Sequence, residues 1–153
     1  MLDHSLAGIR TAVGRLSAGE LPVLAIGHSR GAALAIEYAA VARADHVPVP
    51  DAVYSVEPVP YGEQTHLVDL RPLEHGTRLV LVLGDRDPDA AGGARVLLTR
   101  LQKAKFPGSE VKLQFVHSHG GFVADHMAVL GASPAAQSAF WHPVDGLLAQ
   151  IEG

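Results

Sequence analysis

Residues 21–43, LPVLAIGHSRGAALAIEYAAVAR, constrain the chain more than any other stretch. An apolar run, Leu21 to Ile26, leads into Gly27-His28-Ser29-Arg30-Gly31, and Ala32 to Arg43 continues without proline or glycine. The run has the length and composition of a buried strand, and the alanine-rich segment that of a helix. Between them, G-x-S-x-G is the pattern of a sharp strand-to-helix turn that lifts a serine hydroxyl above a parallel sheet. Glycine is needed because a side chain two residues to either side of Ser29 is expected to collide with the packed strand or helix. Three letters at this spacing are a weak signal, and the strand-turn-helix setting gives them weight.

The remaining pattern repeats the alternation. Leu2, Leu6, Ile9, Val13 and Leu16 recur at helical spacing over residues 2–17, and Ser17 to Glu20 close that helix. Asp45 to Asp51 is a loop with two prolines, and Ala52 to Val56 is a second strand ending at Glu57-Pro58. Residues 59–76 are polar and broken by Pro60, Gly62, Pro72 and Gly76, which leaves room for one short helix near His66 to Leu73. Thr77 to Leu83 is the clearest strand, turned at Gly84-Asp85-Arg86-Asp87-Pro88. A helix from Ala90 to Ala104 is expected to set Val96, Leu97 and Leu101 against the sheet and Arg95, Arg100, Lys103 and Lys105 in solvent. Glu110 to Val116 alternates as a fourth strand, His117 to Gly121 is the loop at its end, and Ser133 to Glu152 is helical with a bend at Pro143.

This order predicts an α/β fold: a parallel sheet of about four strands with helices on both faces, in a single domain over residues 1–153. A chain of 153 residues is about one domain in length. Its net charge of -4 argues against a nucleic-acid partner, because phosphate binding needs a basic surface. No cysteine is present, which excludes a thiol nucleophile or a thiolate metal site and fits a cytoplasmic location. No apolar run reaches the length of a membrane span, and residues 1–10 do not form a signal peptide. The spacing of the nine histidines does not suggest a metal site.

Ligand chemistry in parallel sheets collects at the C-terminal strand ends. There the sequence places Ser29, then Glu57, then Asp85 and Asp87, then His117 and His119. A serine hydroxyl needs an imidazole to take its proton, and a carboxylate to fix the tautomer and stabilise the imidazolium. Serine, acid and histidine follow in the chain order used on this kind of sheet.

With these residues the sequence resembles the α/β-hydrolase fold family, and more narrowly its lidless serine esterases of the chlorophyllase and dienelactone-hydrolase kind. GHSRG, Glu57-Pro58, the GDRD turn and the run HGGFVADH carry the likeness. The resemblance covers most of the chain but begins partway into that fold, corresponding to its C-terminal half. It implies ester hydrolysis through an acyl-serine intermediate, with a small-molecule ester as substrate and no cofactor; the alternative is a non-catalytic remnant acting as a binding or interaction module.

By that resemblance Ser29 is the nucleophile. Asp87 is the acid because Gly84 to Asp87 matches G-x-x-D, with Glu57, one strand earlier, the alternative; Asp85 is a turn residue bonded to its own backbone. His119 is the base because small residues, Gly120-Gly121, follow it; His117 and His126 are the alternatives, and His28 is assigned to packing. The backbone N–H of Arg30 is one oxyanion-hole donor. The second comes, in the family, from a loop after an earlier strand that this chain does not contain. Lacking that neighbour, Leu21 to Ile26 becomes an apolar edge, and a homodimer or a partner chain pairing there is the expectation.

Overall fold

In the computed structural model, residues 2–16, 21–59 and 68–152 are described. The closing segment Ser17 to Glu20 and the polar stretch 60–67 lie outside them. Four strands, β1 (Leu24–His28), β2 (Ala52–Val56), β3 (Arg78–Gly84) and β4 (Val111–Val116), pair in parallel in the order β1-β2-β3-β4. Register is regular: Gly27 stands beside Ser55, Val56 beside Val82, and Gly84 beside Val116. Because every strand runs the same way, their C-terminal residues form one rim, and that rim carries the site.

The helices lie where the sequence periodicity puts them: α1 (Leu2–Leu16), α2 (Arg30–Val41) and α3 (Pro88–Lys103). Ala33, Ile36 and Ala40 of α2 and Ala94, Leu97 and Leu101 of α3 pack on one face of the sheet against Val53, Leu79, Leu81 and Leu83. On the other face, Tyr54, Val56, Val80 and Val82 meet Phe140, Val144 and Leu147 of the C-terminal segment. Alternation of side chains along β2 and β3 therefore feeds two cores, and each fully buried Ile, Phe or Leu contributes about 1.5–3 kcal/mol.

Three expectations are corrected in detail. The first strand begins three residues later than expected and runs directly into the turn; Val23 N–H is held by the Asp51 carboxylate instead of a ladder. It is half-buried rather than buried, because it is an edge with one neighbour, and Ile26 is 45% exposed. On α3, Val96 faces solvent while Arg100 turns inward, donating to Glu37 at 3.0 Å and to the Val68 carbonyl at 2.7 Å. The extended charge finds a buried carboxylate on α2, and that pairing outweighs hydration of the guanidinium. The tail departs from a regular helix at Gln137–Trp141, a π turn between α4 (Pro134–Ala136) and α5 (His142–Glu152), so the irregularity precedes Pro143. Of the helix expected near His66 to Leu73, the described part is a turn closed by Leu73 N–H on the Leu70 carbonyl.

Along the free edge of β1 runs a groove of about 550 Å³, lined by Ile9, Val13, Leu21, Leu24 and Ile26 and reaching Gly27 and Gly31. Among the described residues, no helix is long and apolar enough to cross a membrane.

Candidate active site

Ser29 sits at φ 60°, ψ −125°, between the end of β1 and the first residue of α2. A left-handed φ at a non-glycine residue costs about 1–3 kcal/mol and persists where packing enforces it. Here the enforcement is visible. Ser29 N–H continues the ladder to the Val56 carbonyl at 3.0 Å, while its own carbonyl accepts from Ala32 N–H at 3.0 Å and so starts the helix. Gly27 is required by contact, since a Cβ there would stand 2.0 Å from the Gly31 carbonyl oxygen. Gly31 is not required in that way: a Cβ at Gly31 meets no described atom within 4 Å. The expected collision on both sides is thus present on one, because the space that a Gly31 side chain would enter is open.

Asp87 stands at the end of β3 as the N-cap of α3. Its Oδ1 accepts from Ala90 N–H at 3.0 Å, and Pro88 opens the helix behind it. Its second oxygen, Oδ2, faces His126 Nδ1 at 2.5 Å. On the far side of the ring, Nε2 lies 2.9 Å from Ser29 Oγ. An ionised carboxylate can accept but not donate, so Nδ1 carries the proton and Nε2 is left to accept from the serine hydroxyl. Serine, imidazole and carboxylate therefore form one directed hydrogen-bond chain, with Asp87 buried and His126 half-buried.

The structure brings His126, not His119, to Ser29. The His119 amide and carbonyl are both bonded to Phe122, closing a tight turn in which Gly120 and Gly121 adopt φ of 51° and 87°. Gly120 and Gly121 thus serve the turn, and His119 is left exposed on it. Beyond the turn the chain folds back across the strand ends. Arg86 N–H donates to the Ala124 carbonyl at 3.0 Å, and Ala124 is fully buried above Gly84, where a Cβ would lie 2.2 Å from the Ala124 oxygen. Two residues later His126 arrives over Asp87. His117 is exposed, with its ring 3.6 Å from Asp85.

Asp85 also differs from expectation. Its carboxylate accepts from Ser118 N–H at 3.1 Å and Ser118 Oγ at 2.5 Å, and that hydroxyl accepts from Ala124 N–H at 3.0 Å. It pins the returning loop rather than its own turn. Asp125 continues the work, accepting from Met127 N–H at 3.0 Å to start the short 3-10 turn Ala128–Leu130. His28, assigned to packing by sequence, tethers His126: its Nε2–H donates to the His126 carbonyl at 2.9 Å, and the two rings lie 4.8 Å apart. Burial holds the His28 pKa below its usual value, against the opposing bond to that carbonyl.

Glu57 follows β2 with φ 48° and is fully buried. Its Oε1 accepts from Gly84 N–H at 3.0 Å. An oxygen of Glu57, an oxygen of Asp87 and a nitrogen of His126 lie within 4.8 Å of one another, the one such trio among the described residues with the donor types of a metal site. Two of the three groups are already bonded to each other, so the trio is first a hydrogen-bond cluster. Burial, then the nearby Asp87, pushes the Glu57 pKa up to about 9. Burial also works to raise Asp87, but the neighbouring Glu57 carboxyl, the bond from Ala90 N–H and His126 outweigh it and hold Asp87 below its ordinary value. The two carboxyl groups are thus driven apart in acidity. Arg30, the first residue of α2, places its backbone N–H at the helix N-terminus beside Ser29.

No protein-family model matches the chain, and no curated protein matches it in sequence. Solved structures do. An esterase of Pyrococcus furiosus superposes with a TM-score of 0.69 at 13% identity, over 99% of this chain and 62% of that one. An alpha/beta hydrolase enzyme from a Medee basin deep-sea metagenome library gives 0.64 at 17% identity, over 95% and 61%. A carboxylesterase of Mesorhizobium loti gives 0.60 at 19%, over 97% and 59%. The chain thus has the α/β-hydrolase fold, and it spans about three fifths of the length of these structures.

Proposed function

We propose that the chain is a serine hydrolase that cleaves carboxylic esters through an acyl-serine intermediate, with Ser29 as nucleophile, His126 as general base and Asp87 as the acid. The observation that carries this reading is the directed chain Ser29–His126–Asp87, at 2.9 and 2.5 Å, on a strained strand-to-helix turn. In the reaction His126 Nε2 takes the Ser29 proton as Oγ bonds to the ester carbonyl carbon. The resulting oxyanion is stabilised by the Arg30 N–H, and the imidazolium by Asp87. Collapse breaks the C–O bond to the alcohol, which leaves with the proton from His126. Water then attacks the acyl-serine, again with His126 as base, and releases the acid and Ser29. The names of the similar structures, esterases and hydrolases, support this reaction class.

A fluorophosphonate probe with mass mapping tests the proposal: labelling at Ser29, abolished in S29A, is expected. A second reading is favoured by the free edge of β1 and its apolar groove, namely a hydrolase-fold module that pairs with a second copy or another chain along Leu24–His28. Folded protein that the probe leaves unlabelled would favour that reading, and a monomer in light scattering would count against it.

A further inference from the structure

Glu57 is a buried carboxyl that the reaction above does not use, and unlike Glu37 it has no cation against it among the described residues. Its Oε1 is satisfied by Gly84 N–H, but Oε2 is buried with no donor to accept from among the described residues. An ionised carboxylate in that position would leave a charged oxygen unsatisfied in the protein interior, which is strongly unfavourable. It would also face a second anion, because an Asp87 oxygen lies within 4.8 Å. A single proton removes both penalties, since the protonated oxygen becomes a donor and the neighbouring carboxylate is the acceptor it lacks.

The backbone is organised to keep the carboxyl there. Glu57 holds φ 48°, a strained value for a long side chain, and a Cβ at Gly84 would come within 2.8 Å of its Oε1. The groups that face it are Gly84 N–H and Asp87 from the end of β3, and Asp125 and His126 from the loop after β4. Asp87 and Asp125 both disfavour a charge on Glu57.

We propose that Glu57 is a positioning residue: held as a neutral carboxylic acid, it donates from Oε2 to the Asp87 carboxylate and keeps Asp87 ionised and aimed at His126 Nδ1. Its effect on catalysis rests on the hydrolase reading given above; its protonation state does not. Glutamine is the conservative replacement, because it keeps the shape, an acceptor for Gly84 and a donor for Asp87, and has no proton to lose. Leucine removes donor and acceptor alike.

The test compares wild type, E57Q and E57L in ester hydrolysis between about pH 6 and pH 10, with infrared spectra alongside. E57Q is expected to stay within about threefold of wild type at neutral pH. E57L is expected to lose on the order of ten- to a hundredfold in kcat with KM little changed, as when an outer hydrogen-bond partner of a working group is removed. Wild type should lose activity as pH rises past about 9, where Glu57 ionises, and E57Q should not show that loss. At pH 7 the C=O stretch of a protonated carboxyl should be present in wild type and absent from E57Q. Where E57L does not fold, E57Q and the infrared band still decide. An E57Q enzyme impaired at neutral pH as badly as E57L, or a wild type without the carboxyl band, overturns the proposal. Protein that hydrolyses no ester yet shows the band would sink the hydrolase reading and leave the carboxyl pair standing.

Discussion

Asp87 Oδ2 and His126 Nδ1 meet at 2.5 Å across 39 residues of chain, while the other Asp87 oxygen caps α3 on Ala90 N–H. One side chain thus starts a helix and orients an imidazole. The two duties separate under substitution. D87N keeps a good capping group and should fold with nearly wild-type stability, yet lose on the order of 10⁴-fold in kcat because an amide fails to hold the working tautomer. D87A should lose activity similarly and also about 1 kcal/mol of stability. Urea unfolding beside ester kinetics reads both.

Replacing each histidine of the last loop discriminates between them sharply. H126A should lose on the order of 10⁴-fold or more in kcat and react with the fluorophosphonate probe correspondingly slowly. H119A should retain activity and lie within about 0.5 kcal/mol of wild type in stability, because the exposed ring meets Phe122 at 5.6 Å and its backbone bonds survive the change. Full activity in H126A would remove it from the role of base.

The two glycines of the turn should respond in opposite ways. G27A drives a methyl to 2.0 Å from the Gly31 oxygen and is expected to cost about 3 kcal/mol or more, visible as a lowered urea midpoint. G31A lies within the first turn of α2 with open space around it, and should be neutral or more stable by about 0.5–1 kcal/mol.

Stability should carry its own pH signature from Glu57. With its pKa pushed up to about 9, Glu57 keeps this proton in the folded state, whereas an unfolded glutamate releases it near 4.5. The stabilisation is therefore complete below pH 4.5 and is lost progressively as pH rises from there through about 9. E57Q lacks the titration, so its stability relative to wild type should increase across that window. Equal slopes in the two proteins would contradict a protonated Glu57.

Much of this was legible from residue order. Four strands, their helices and the rim bearing Ser29 and Asp87 follow from apolar periodicity and from what stands at each strand end. His126 was harder to single out because the deciding event is a chain reversal: Gly120 and Gly121 turn the loop, Asp85 and Ser118 pin it, and Ala124 lies over Gly84 before the base arrives. Gly84 is the residue that admits this overpass, and in the sequence it is indistinguishable from a turn glycine. Glu57 is legible as a carboxylate at a strand end. Its neutrality depends on burial and on the nearness of Asp87, which are properties of the folded state. Likewise Arg100 has the spacing of one more cation on a solvated face, and only the fold sets Glu37 across from it.

Sheet order follows chain order from β1 to β4, and Ser29 lies 97 residues ahead of His126. During synthesis β1, its helix and the segment bearing Asp87 can dock in sequence as they emerge, each strand adding to the last. His126 follows only with the loop after β4. In the hydrolase reading proposed above, a nascent chain therefore holds Ser29 without its proton acceptor until that loop has left the ribosome and packed over the strand ends.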